Sequence, residues 1–445
     1  MKRINVKWVL ILGLALFLLV WPGLALAQAN AIQVSDEGVQ SKFRQNITFT
    51  LSAADQAEIV KADLLYQIKD QIVVSRNSAD FTPGQSINAK YVLDQNDPSN
   101  YLPTGAELDY WWELVDASGN KLTTDKKNLV YLDERYNWQT LQNDRLTLYW
   151  YAGSDNFGQA LFDRANQALD TLQNDFGVTL HKPIKIFIYN GHDDFMGAYY
   201  VGSNEWTGGV TFSDYGVVMI GVQPNELEWG KVATTHEMSH LVLHQATDNA
   251  YSGQLTLPVW LDEGTAVYNS GETTLRADFK EELGQAITDD KLLTLRTLSS
   301  PFSSDPNEAI LSYAESGAVV TFIIDHYGRQ DMAKLLDTLA AGALYDEALQ
   351  KSLGVNTDGL DNAYRESVNL PPLSKVAAAP AQTAAKPVST EKAASASTPN
   401  AAESGGVAPP AQSAAEPQRG LFNFSCCLTG LIPLFVLGWA FYVKR

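Results

Sequence analysis

The chain has 445 residues, 45% hydrophobic and 19% charged, which is enough apolar material for two or three packed domains. Acidic residues outnumber basic ones 51 to 32 for a formal charge of −19, which argues against a nucleic-acid binder, because that needs a basic surface to displace counterions from phosphates. The two cysteines, Cys426 and Cys427, are adjacent and support neither a disulfide framework nor a cysteine zinc finger, whereas three of the six histidines, His236, His240 and His244, fall within nine residues.

Residues 1–29 read as a secretory signal peptide. Lys2, Arg3 and Lys7 form a basic start, Trp8 to Val20 an apolar run, and Ala25-Leu26-Ala27 or Ala27-Gln28-Ala29 a small-residue cleavage site. The apolar run is short for a membrane span. The expected product is exported.

Residues 30–140 show short alternating runs separated by turn residues, including 46–51, 62–68, 87–93 and 108–115. Asp116-Ala117-Ser118-Gly119-Asn120 reads as a hairpin turn leading to a return strand near Leu122. The pattern predicts a β-sandwich of immunoglobulin or fibronectin type. Tyr110, Trp111 and Trp112 are expected in its core, with a binding patch as the alternative.

Residues 141–370 change to a mixed α/β texture. Strands are predicted at 146–151 and 184–189, a helix at 156–176 stopped by Gly177, and a hairpin within 209–222. Helices follow around 228–245, 259–270, 308–327 and 332–341. The key motif is His236-Glu237-Met238-Ser239-His240. Histidines four apart share one helix face, so both imidazoles reach the same ion, and neutral imidazole suits Zn²⁺. Glu237, offset by about 100°, flanks such an ion, where its carboxylate can take a proton from water. His244 lies about 12 Å along the helix from His236, too far to share that ion, and is read as a neighbour.

Downstream, Trp260-Leu261-Asp262-Glu263-Gly264-Thr265-Ala266 combines with the histidine motif to resemble the gluzincin metallopeptidases, of the aminopeptidase N and thermolysin-related group. The resemblance implies a zincin-type catalytic domain over about 145–370, with Glu263 as third ligand of one Zn²⁺. Tyr313-Ala314-Glu315-Ser316-Gly317 is similar to the stretch whose tyrosine stabilises the tetrahedral oxyanion in aminopeptidase N relatives, which makes Tyr313 the implied donor. Two departures stand out. The Gly-x-Met-Glu-Asn signature that anchors a substrate N-terminus is replaced by Gly208-Gly209-Val210-Thr211-Phe212-Ser213, so an endopeptidase is preferred. The acidic residue one turn after the third ligand in thermolysin-like enzymes is Val267 here, which leaves orientation of the histidines to another group, with Asp262 the nearest.

Residues 371–420 shift to Ala, Pro, Ser, Thr and Gln and read as an unfolded stalk, with ends ~40 Å apart as a flexible coil. Leu421 to Val443 is uncharged and, as a helix, about 34 Å long, enough to span a bilayer. Lys444 and Arg445 would then remain cytoplasmic. The combined expectation is a membrane-anchored, extracytoplasmic zinc metallopeptidase acting on peptide or protein substrates. An inactive cell-surface binding or adhesion protein with a peptidase-like head is the alternative, and a zinc amidase acting on cell-wall peptides a third.

Overall fold

A computed structural model describes residues 32–199, 208–247, 257–303 and 305–373. The expected signal peptide, the stalk beyond Leu373 and the expected membrane span lie outside these residues. Among the described residues, no helix is long and apolar enough to cross a membrane.

The N-terminal part is one seven-stranded antiparallel sheet: β1 (Gln33–Lys42), β2 (Asn46–Ile68), β3 (Val74–Ser78), β4 (Gly84–Asp94), β5 (Ala106–Asp116), β6 (Lys121–Thr123) and β7 (Lys127–Tyr131). The runs at 46–51 and 62–68 belong to a single 23-residue strand. Its first half pairs with β1 and β4, its second half with β3 and β5, and the register shifts between Ala54 and Ile59. Such an irregularity bends and twists a strand. Here the bend folds the sheet so that Phe49 of the first half meets Tyr110 of β5 edge-on, at 5.1 Å between ring centroids. Alternation does the rest: Ile47, Phe49, Leu51 and Ala53 point inward with Leu108, Tyr110, Trp112 and Leu114. Tyr110 and Trp112 are core residues, as expected, while Trp111 lies outside that cluster and is buried beneath the ammonium of Lys126.

The second part is built on a five-stranded sheet in the order β11 (Gly209–Phe212), β12 (Val217–Gly221), β10 (Ile184–Tyr189), β9 (Leu146–Trp150), β8 (Gln139–Gln142). Strands β9, β10 and β12 are parallel; β8 and β11 run antiparallel at the two margins. The first helix, α1 (Asp155–Phe176), buries Phe157, Leu161, Ala165, Ala168, Leu172 and Phe176 at helical spacing. It stops at Gly177 in the left-handed conformation (φ 68°), whose N–H closes on the Gln173 carbonyl. A short α2 (His192–Ala198) follows β10. The remaining helices are α3 (Leu227–Thr247), α4 (Val259–Ser270), α5 (Glu272–Leu275), α6 (Ala277–Thr288), α7 (Leu295–Leu298), α8 (Pro306–His326), α9 (Arg329–Ala340), α10 (Tyr345–Leu353) and α11 (Thr357–Ser367). Six of the helices, α2, α5, α6, α7, α10 and α11, have no counterpart among those expected from the sequence.

The sheet joins the two parts. Along β10, Ile184, Ile186 and Ile188 face the helical core, while Phe187 and Tyr189 face the N-terminal sheet. Along β12, Val218 and Ile220 face the helices, and Val217 and Met219 face the N-terminal sheet. A sheet apolar on both faces requires a layer on each. Helices supply one layer and the N-terminal sheet the other. Lys185 ties the two together, donating to the Gly105 carbonyl at 2.8 Å and pairing with Glu107.

Candidate metal centre

Helix α3 runs through the middle of the second part, and residues 233–243 are buried without a break. Within this buried stretch the Thr235 and Ser239 hydroxyls donate to the helix's own carbonyls one turn back, at Lys231 and Thr235. His236 and His240 project from one face with ring centroids 5.0 Å apart. Helix α4 lies against it and contributes Asp262 and Glu263. The two helices are cross-linked by Asn269, which donates to Ser239 Oγ at 2.8 Å. Arg164 of α1 caps the far end of α4 by donating to the Asn269 carbonyl at 3.0 Å, a cation at the negative end of a helix dipole.

Glu263 Oε2 lies 3.4 Å from His236 Nε2 and 3.5 Å from His240 Nε2. Two donors at about 2.0–2.1 Å from one tetrahedral ion lie about 3.3–3.4 Å apart, so the spacing is that of a ligand set. His236, His240 and Glu263 form the metal-competent cluster among the described residues. The fit is chemical as well as geometric. Glu263 is 1% exposed, and neither of its oxygens accepts a hydrogen bond. A carboxylate buried without a donor costs several kcal/mol unless a cation compensates it. Two imidazoles and one carboxylate suit Zn²⁺ with a coordination position left open.

The other imidazole nitrogens are tied back. His240 Nδ1 lies 2.8 Å from Asp262 Oδ1, and His236 Nδ1 lies 2.8 Å from Glu272 Oε2. In the neutral rings these contacts place the proton on Nδ1, so each Nε2 would offer its lone pair to a metal held with Glu263. The acidic function missing at Val267 is thus divided between Asp262 and Glu272. Asp262 was legible as a neighbour of Glu263. Glu272 was not: it follows the left-handed Gly271 (φ 83°), which ends α4 and turns the chain back toward His236. The one available signal was an acidic residue directly after a helix-stopping glycine. Ser270 Oγ donates to the same Glu272 oxygen at 2.8 Å.

These contacts set the protonation equilibria of the metal-free centre. Burial pulls the His236 imidazole down, but Glu272 and Glu263 more than reverse this and hold it well above the ordinary histidine range. His240 is likewise lowered by burial yet raised by Asp262 and Glu263, to about 9. Burial opposes ionisation of Asp262, and the imidazoles of His244 and His240 override it, holding the carboxyl far below the usual range. Glu237 goes the other way: burial raises it, with the imidazoles only partly offsetting the rise.

Glu237 is not among the clustered ligands. Thr211 Oγ1 on β11 lies 3.0 Å from its Oε2 and 2.7 Å from its main-chain carbonyl. A Cβ at Gly209 would sit 2.8 Å from Glu237 Cγ, so only glycine lets the strand come this close. Tyr313 on α8 is buried with its ring edge-on to Phe302 at 5.0 Å. Burial pushes its hydroxyl well above the ordinary value, and Glu263, Glu237 and Glu272 add to the rise, which locates it in the electrostatic reach of the centre. His244 does not join the ligands; it binds Asp262 and Ser213 instead.

Residues 164–370 match the family model of the Peptidase MA superfamily, and with its two-histidine, one-glutamate centre this segment is a peptidase domain of gluzincin type. No curated protein sequence matches the chain. Among solved structures, the chain is similar to an M1 zinc metallopeptidase from Deinococcus radiodurans: 12% identity, 77% of this chain and 96% of that one, TM-score 0.35. It is also similar to aminopeptidase A of Legionella pneumophila solved with aspartic acid, at 11% identity and TM-score 0.34, over 77% of this chain and 49% of that chain, so it spans about half of that protein. A catalytically inactive OgpA from Akkermansia muciniphila, solved with an O-glycopeptide, matches 24% of this chain and 30% of its own at 10% identity and TM-score 0.19.

Proposed function

We propose that the protein is a membrane-anchored, extracytoplasmic zinc metallopeptidase that cleaves within extended peptide chains. The observation that carries this is the orphaned Glu263 carboxylate facing two imidazoles whose outer nitrogens are already engaged. His236, His240 and Glu263 would hold one Zn²⁺, which supplies electrophilic activation of water and of the scissile carbonyl. Glu237 accepts a proton from the attacking water as the new C–O bond forms. It then delivers that proton to the amide nitrogen as the C–N bond breaks. A raised carboxyl suits this double task, because the group must both take and release a proton near neutral pH. Thr211 fixes which oxygen of Glu237 is free to do so. Tyr313 donates to the oxyanion of the tetrahedral intermediate.

The endopeptidase preference rests on the sequence upstream of the motif, Gly208 to Ser213, which lacks an acidic anchor for a substrate amine. Strand β11 at the sheet margin offers backbone groups to an extended substrate. Anchoring rests on the apolar 421–443 segment followed by Lys444 and Arg445.

The deciding experiment is zinc content and casein cleavage for wild type and Glu237→Gln. The variant should retain zinc while its turnover falls on the order of 10²–10⁴-fold. Undiminished cleavage by a zinc-loaded variant refutes the mechanism. N-terminally acetylated peptides should be cut as readily as free ones; a strict need for the free amine refutes the endopeptidase preference. Deleting 421–445 should move the protein from the membrane fraction to the medium.

A further inference from the structure

Three side chains outside the ligand set, Ser213, His244 and Asp262, form a hydrogen-bonded chain that ends on the ligand His240. Ser213, in the turn after β11, has its Oγ 2.8 Å from His244 Nδ1. His244 Nε2 lies 2.9 Å from Asp262 Oδ2. The other oxygen of Asp262 holds His240 Nδ1 at 2.8 Å. Asp262 is 4% exposed, and both of its oxygens are committed to imidazoles.

We infer that Ser213 and His244 are positioning residues that set the tautomer and orientation of the metal ligand His240 through Asp262. The hydrogen-bond directions permit one consistent arrangement with neutral rings. The Ser213 hydroxyl donates to His244 Nδ1, which places the His244 proton on Nε2, where it donates to Asp262. Asp262, a pure acceptor, takes the second proton from His240 Nδ1. His240 Nε2 is then left with its lone pair facing Glu263 and the ion. Without His244, one oxygen of a buried carboxylate loses its donor, and the carboxylate is free to swing about the remaining bond.

The relay also couples the strand beside the site to the metal. Thr211 and Ser213, two residues apart, reach Glu237 and His244 on α3, so the same short segment contacts the base and the ligand's support. Displacement of β11 on occupancy by an extended chain would be felt at both.

This inference rests on the zinc reading, and the test separates the two. Zinc loss to a chromogenic chelator and the visible spectrum of the cobalt-substituted protein are measured for wild type, His244→Gln, His244→Leu and Ser213→Ala. His244→Leu should lose zinc roughly tenfold faster with an altered cobalt spectrum, at the lower end of what outer-shell partners contribute. His244→Gln, which keeps an N–H donor toward Asp262, should restore most of the retention. Ser213→Ala should alter the cobalt spectrum with an unchanged melting temperature, and it decides the matter if His244→Leu fails to fold. Wild-type zinc retention and cobalt spectra in both His244→Leu and Ser213→Ala overturn the relay, as does a His244→Gln variant as defective as His244→Leu. A wild-type protein that takes up no zinc instead overturns the metallopeptidase reading itself.

Discussion

At the scale of single residues, the centre is an arrangement of buried carboxylates answered by imidazoles. In the metal-free protein His236 and His240 are raised by their carboxylate neighbours, His240 to about 9 against an ordinary 6.5. A raised value means that protonation stabilises the fold fully below about pH 6.5; the His240 contribution is lost as pH rises through about 9, and that of His236 is likewise lost on the alkaline side of its ordinary range. Zinc must displace those protons, so its binding has the opposite dependence. Melting curves at pH 6, 7.5 and 9 should show chelated protein losing stability with pH while the zinc-induced rise in melting temperature grows. Parallel curves would contradict the carboxylate–imidazole pairing. Tyr313→Phe removes one donor without opening a cavity; it should keep zinc and lower kcat by roughly 10–10³-fold, with KM little changed.

At the scale of elements, helix α4 is held where it is by close approach. A Cβ on Gly264 would lie 2.4 Å from the Ser316 carbonyl oxygen of α8, and one on Gly317 would lie 2.5 Å from Val267. The glycine after Glu263 therefore lets α4 and α8 pack backbone to backbone, which brings Glu263 and Tyr313 to one centre. Gly264→Ala should cost about 1–3 kcal/mol or more by overpacking, read as a lowered melting temperature with or without zinc. Gly209→Ala acts differently, because its Cβ meets the Glu237 side chain. It should depress kcat while zinc content stays at the wild-type level. Helices α3, α4 and α8 are legible in the sequence nearly to the residue, since each carries apolar residues at three- and four-residue spacing and α4 has Pro258 before it and Gly271 after it. Strand β2 reads as two runs, 46–51 and 62–68, because alternation lapses between them where the register shifts, and only its partner strands show that the chain stays extended through the irregularity.

At the scale of the molecule, the N-terminal sheet is a structural layer of the part that carries the metal-competent cluster. Phe187, Tyr189, Phe195, Val217 and Met219 of the second part are buried in the core it shares with the first. Exposing five such side chains would cost about 8–15 kcal/mol at 1.5–3 kcal/mol each, comparable to the whole stability of a domain. A fragment of residues 141–373 should therefore show no cooperative thermal transition and should bind a hydrophobic dye, whereas residues 32–373 should melt cooperatively. A soluble, cooperatively folding fragment would show that the N-terminal sheet is dispensable.

The sequence by itself determined the chemistry-bearing face of α3, the Glu263 motif and the change from β to mixed α/β texture, because helical period, residue type and short spacing are local properties. Tertiary structure alone decided that Glu272 supports His236, that Asp262 serves two histidines, and that the N-terminal sheet covers the far face of β10 and β12. Those relations join positions distant along the chain, and only packing and the burial of charge bring them together.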